Sequence, residues 1–232
     1  MPNTEEQRLD IIHNCDLLLQ GPLKPFSQTD NTPEGRMITQ CKWLKERAEN
    51  HDLPLPVEEG KLGSLLYIYT NGELFTADSS KDEIHSVERI MNRIISLADE
   101  AKLLLKPIYY PYTILYINAL IKVLETSPRP LDDYEQGFIV ELKQLEQLLA
   151  EGKIEPPLGA YMPKYPNFIE AKYSIKDIPN GKDYFYTVSD LLFEGIRPDN
   201  WLTPEDADKD TQNLIYEQFE NERRPEEPLQ PD

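Results

Sequence analysis

"PYTILYINALIKVLE", residues 111–125, is the stretch whose reading decides the fold. Ile114, Leu115, Ile117, Leu120, Ile121, Val123 and Leu124 leave almost no polar side on a period of 3.6 residues. A helix apolar all round is expected at the centre of a core, so the other elements should pack around this one. Ser127-Pro128-Arg129-Pro130 ends it, because proline removes a backbone donor and clashes with the preceding turn.

Upstream, the same helical period recurs behind start signals. Thr4-Glu5-Glu6-Gln7 has the form of a capping box, and Ile11, Ile12, Cys15, Leu18 and Leu19 follow on one face up to Gly21-Pro22. Thr32-Pro33-Glu34 supplies an N-cap, a proline at the first helical position and an acid for the helix dipole. Met37, Ile38, Cys41, Leu44 and Ala48 then line a face that stops before Pro54. Ser80-Lys81-Asp82-Glu83 is a second capping box, opening a long helix with Val87, Met91, Ile94 and Ala98 inward, which runs to Pro107. Residues 60–76 read two ways: Leu62, Leu65, Leu66 and Tyr69 fit a helix, whereas "LYIYT" followed by Asn71-Gly72 fits a hairpin.

Downstream, Asp132 or Asp133 caps a helix with Phe138, Leu142, Leu145 and Leu149 inward and Gly152 at its end. The texture then changes. In "KIEPPLGAYMPKYPNF", residues 153–168, prolines alternate with Tyr161, Tyr165 and Phe168, which predicts an extended arm. "YSIKDIPNGKDYFYTV", residues 173–188, predicts a small β-hairpin turning at Pro179-Asn180-Gly181. A short helix over 188–194 and a last one from Thr203-Pro204 to about Phe219 complete the pattern. The expected fold is mainly α: a helical bundle over residues 1–152, then a Pro/Tyr-rich extension with one small β-hairpin and shorter helices over 153–220, packed on the same body. A charged, proline-rich tail over 221–232 is expected to be mobile and acidic.

Charge narrows the function. The chain carries 42 acids against 24 lysines and arginines, a net charge of −18, and residues 131–232 hold 23 of those acids against 10 bases. Such a surface repels phosphate backbones and anionic lipid, so direct nucleic-acid binding and membrane association are not expected, and a basic protein partner is. The uncharged window Pro107–Ile121 is interrupted by Pro111 and falls short of the roughly 20 apolar residues of a membrane span. The acidic opening MPNTEEQRLD does not resemble an export leader, and two cysteines cannot make a disulfide framework, so a cytoplasmic location is expected.

"EDADKDTQNLIYE", residues 205–217, holds Asp206, Asp208, Asp210 and Glu217 at positions 1, 3, 5 and 12 of a calcium-loop spacing. The position-6 glycine that makes the sharp turn is replaced by Thr211, and Thr203-Pro204 already starts a helix there, so a helix start is the expected reading and no metal. His13, His51 and His85 lack ligand spacing, and Cys15 and Cys41 fall on apolar stripes. No phosphate loop or catalytic motif is present, so neither a cofactor nor an enzymatic activity is expected.

These readings converge on a cytoplasmic, acidic protein-binding protein that holds or neutralises a basic partner, in the manner of an immunity protein or antitoxin. The expected contact residues are Asp206, Asp210, Asn213 and Glu217 on one face of the last helix, turned away from Leu214 and Ile215, with Tyr161 and Tyr165 of the arm. The alternatives are a helical adaptor or chaperone of a secretion or mobile-element system, using a tyrosine surface, and an enzyme without a recognisable motif.

Overall fold

Thr32 turns its hydroxyl back to accept the Gly35 amide at 3.1 Å, and Pro33 opens the helix behind it. Asp132 and Glu135 each accept the other's backbone N–H in a complete capping box, which fixes Asp132 as the cap of the helix that follows. Local signals of this kind set the register of the computed structural model, which describes residues 4–29, 31–58, 60–71, 81–158 and 164–223. The helices are α1 (Thr4–Gln20), α2 (Pro33–Glu49), α3 (Gly63–Asn71), α4 (Lys81–Ala98), α5 (Tyr110–Glu125), α6 (Asp133–Ala150), α7 (Pro166–Ser174), α8 (Gly181–Ser189) and α9 (Pro204–Arg223). No β-sheet forms among the described residues; one isolated antiparallel bridge joins Leu104 and Ile196.

The chain forms two compact units. The first comprises Met1–Leu105, Ile154–Pro166 and Ser189–Asp199; the second comprises Lys106–Lys153, Asn167–Val188 and Asn200–Asp232.

In the first unit α1 packs on α2 and α4, and α3 packs on the same two helices. The stripes Ile11, Cys15, Leu18 and Met37, Cys41, Leu44 meet there, fully or almost fully withdrawn from solvent, together with Met91 and Ile94 of α4. Gln7 of the expected first capping box is buried, and its amide donates to the Ala101 carbonyl. The arm docks by its backbone: the Leu158 amide donates to Leu192 and Arg93 donates to the Pro156 carbonyl at 3.2 Å. A widened helical turn at Asp190–Glu194 ends at Gly195, whose φ of 64° and whose proximity to Pro157, 2.9 Å from where a Cβ would stand, require glycine. Beyond it, buried Arg197 donates to Glu6 at 2.9 Å.

In the second unit α5 packs on α6 and α9. Phe138 of α6, Phe168 of α7 and Phe185 of α8 form a three-ring knot with centroids 4.4–5.8 Å apart. Glu141 accepts both the backbone and the side-chain amide of Asn167, holding the start of α7 against α6.

Four expectations need correction, the first being the helix expected to run to Pro107, which ends at Ala98. Residues 173–188 make no hairpin: α7, a 3-10 turn at Ile175–Asp177 and α8 occupy them, because Asn180 (φ 60°) and Gly181 turn the chain into a new helix and Phe168 and Phe185 bury against Phe138. Pro166 starts α7, so the extended arm ends before it. α5 is not buried all round; it buries Thr113, Tyr116, Ile117, Leu120, Ile121 and Leu124 on one face and leaves Leu115 exposed. Of the ambiguous 60–76 segment, Gly63–Asn71 is helix, while residues 72–76, the Ser80 cap and Tyr161 lie outside the described residues.

Candidate functional site

The α5–α9 pairing in the second unit gathers the chemistry of the acidic C-terminal third. Thr203 caps α9: its hydroxyl accepts the Asp206 amide at 3.2 Å, and the Asp206 carboxylate takes the Thr203 amide and hydroxyl at 3.1 and 2.8 Å. Those bonds hold the Asp206 carboxyl below its ordinary range, the Thr203 hydroxyl being the main cause. Ala207, Thr211 and Leu214 then form the buried stripe.

Asp210 stands at the margin of that stripe and turns inward. One of its oxygens accepts the indole N–H of Trp201 at 3.0 Å and the hydroxyl of Tyr116. Trp201 has no solvent exposure; Tyr109 stacks on it at 6.2 Å, and Tyr112 and Tyr116 meet it edge-on at 5.9 and 5.3 Å. Burial, and then the Glu217 charge, push the Asp210 carboxyl above its ordinary value. The same two causes raise the nearby Tyr184 hydroxyl to about 12. Burial and then the Asp208 carboxylate, which also hydrogen-bonds it, raise Tyr112. A half-buried carboxylate with two fixed donors is a hydrogen-bonding hub that ties α5, Trp201 and α9 together.

The outward side of α9 shows Glu205, Asp208, Glu217 and Glu220, and the exposed Lys209 lies 3.9 and 3.6 Å from Glu205 and Asp206 of the same helix. Ile215 and Tyr216 stand among these acids, 59% and 65% exposed.

The expected contact residues therefore separate. Asn213 and Glu217 face solvent, Asp206 is committed to the cap, and Asp210 is committed to Trp201 and Tyr116. Ile215, expected inward beside Leu214, is outward, because the buried stripe is drawn toward the Trp201 side of the helix. Tyr165 belongs to the first unit, where its ring meets Phe193 at 5.8 Å. Among the described residues no group of three histidine, cysteine, aspartate or glutamate side chains converges as metal ligands. Cys15 and Cys41 are free and buried, and the Cys41 thiol beside it and burial hold the Cys15 thiol well above its usual value. Trp201 and Ile108 were not singled out by the sequence, and Leu115 was read only as part of the central apolar helix; the uncharged run around Pro107–Ile121 was the signal available for the last two.

No protein-family model, no curated protein and no solved structure gives a significant match to this chain. The class its structure defines is a helical protein, and no helix among the described residues is long and apolar enough to cross a membrane.

Proposed function

We propose that this chain is a cytoplasmic acidic binding protein that holds or neutralises a basic protein partner, as an immunity protein or antitoxin-like inhibitor does. The observation that carries this reading is the outward face of α9: four exposed carboxylates, with the exposed lysine among them lying close to the helix's own acids. Set in a chain of net charge −18, that face attracts cationic surfaces, speeds their association and repels anionic competitors. On this reading the chain binds and does not catalyse.

The test is to capture partners from cell extract at low salt, identify them by mass spectrometry and measure association with wild type and with Asp208→Lys/Glu217→Lys/Glu220→Lys. A basic partner whose association slows by about tenfold or more in the variant, with the gap closing near 0.5 M salt, supports the reading. A partner whose association ignores both salt and the variant overturns it.

The adaptor or chaperone reading draws on a different observation, the outward rings of Tyr173, Tyr186 and Tyr216, which are 66%, 42% and 65% exposed. Its signature is salt-insensitive binding lost when these tyrosines become alanine.

A further inference from the structure

α5 is apolar on the side it buries and apolar again on part of the side it does not. Pro111 and Leu115 of α5, with Ile108 of the 3-10 turn at Pro107–Tyr109 just before it, line an outward stripe at i, i+3 and i+7, with Ile108 60% and Leu115 39% exposed. Isolated exposed apolar residues are ordinary, but a stripe at helical spacing on a helix with no charge before Lys122 is a prepared surface. α9 packs on α5, and the Asp208 charge acts on Tyr112, the residue after Pro111, which brings one flank of α9 alongside the stripe. Ile215 follows Asp208 by seven residues, two helical turns on, and so stands on that same flank.

We infer that the outer stripe of α5, together with the Asp208–Ile215 flank of α9, is a docking seat for a cationic amphipathic helix of the basic partner. The inference rests on the binding role proposed above and names the element of the partner that the seat accepts. Each side of the seat runs two helical turns, about 10 Å, which suits a helix of three or more turns presenting apolar anchors at i, i+3, i+4 and i+7. Charge selects the occupant. Asp208 lies on this flank with exposed Glu205 one turn before it on α9, so an incoming helix gains by carrying lysine or arginine beside its apolar stripe. A second copy of this chain has the same net charge of −18, which opposes self-association through this face.

The experiment uses the full chain and a synthetic probe of about 18 residues made of leucine and lysine, with leucines on one helical face. A second peptide of the same composition, scrambled to abolish that face, is the comparison. Calorimetric titration should give one-to-one binding of the amphipathic peptide, at least tenfold tighter than the scrambled one. Ile108→Ser/Leu115→Ser should weaken it tenfold or more, while Val140→Ser, which alters an equally exposed apolar residue on α6, should leave it unchanged. All of these positions face solvent, so thermal melting should confirm that both variants stay folded.

Equal, salt-dependent binding of both peptides, indifferent to Ile108→Ser/Leu115→Ser, would overturn the seat and leave the basic-partner reading standing. If neither peptide binds at low salt, both readings are overturned. A wild-type dimer in sedimentation that Ile108→Ser/Leu115→Ser dissolves would assign the face to self-association and also overturn the seat.

Discussion

Arg129 grips Glu135 through two nitrogens at 2.8 and 2.6 Å, and the Glu135 side chain is completely withdrawn from solvent. Glu135 also accepts the Asp132 amide in the α6 capping box, and Arg129 donates onward to the Ser174 carbonyl at the end of α7 at 3.2 Å. One ion pair therefore closes the loop before α6, caps that helix and pins the following one. Arg129→Ala strands a buried carboxylate, and a loss of about 2–4 kcal/mol is expected in urea denaturation at pH 7.

The same pair sets an acid limit. Arg129, opposed by burial and helped by the Asp132 amide, lowers the Glu135 carboxyl from 4.5 to about 2. Between these values the unfolded chain takes up a proton that the native state refuses. The stabilisation, roughly 3 kcal/mol, is therefore complete above about pH 5 and lost as pH falls toward 2. Denaturation midpoints measured across that window should fall steeply for wild type and less for Glu135→Gln.

Asp210 should behave in the opposite sense. Burial and Glu217 raise its carboxyl, so its ionisation costs the native state free energy as pH rises through the raised value. Asp210→Asn keeps an oxygen for Trp201 and Tyr116 and removes that cost, and at pH 7 it should be as stable as wild type or more so. Asp210→Ala leaves two inward donors without their acceptor and should lose about 1–3 kcal/mol, with an altered tryptophan emission.

Leu120, with no exposed surface, and Val140, 66% exposed, bracket the packing of the second unit. Leu120→Ala should cost about 2–5 kcal/mol as a buried large-to-small change, and Val140→Ala should stay within about 0.5. Equal denaturation midpoints would contradict the assigned faces of α5 and α6.

Millimolar calcium should not shift the melting temperature. The carboxylates that match a calcium loop in spacing turn to different partners: Asp206 to Thr203, Asp208 to Tyr112 and Asp210 to Trp201. A one-to-one calorimetric site abolished by Asp208→Ala would contradict this geometry.

What was legible in the sequence was what is encoded locally. Thr32-Pro33, a cap at Asp132 or Asp133, and the stripes of α1, α2, α4 and α6 announce themselves, because a cap bonds within four residues and a buried face repeats within two turns. The hairpin expected at 173–188 failed because Pro-Asn-Gly turns a chain equally well between two helices, and β-prone tyrosines yield to the packing of Phe138, Phe168 and Phe185. On α9, Asp206, Asp210, Asn213 and Glu217 do share a side of the helix. What spacing could not reveal was Trp201, from outside the helix, drawing Asp210 inward and leaving Ile215 out. Nor could an apolar composition tell which side of α5 would be covered, since leucine and isoleucine look alike on a buried face and on a docking face.

The order in which the chain visits its two units has a consequence for anyone who would take the protein apart. It passes between them five times, at 105/106, 153/154, 166/167, 188/189 and 199/200. No single cut separates one from the other, and a cut at 153/154, 166/167 or 188/189 divides both. Fragments made by deleting either end should therefore lose cooperative melting as a whole, and a fusion or a split reporter built on this scaffold would have to preserve the complete thread.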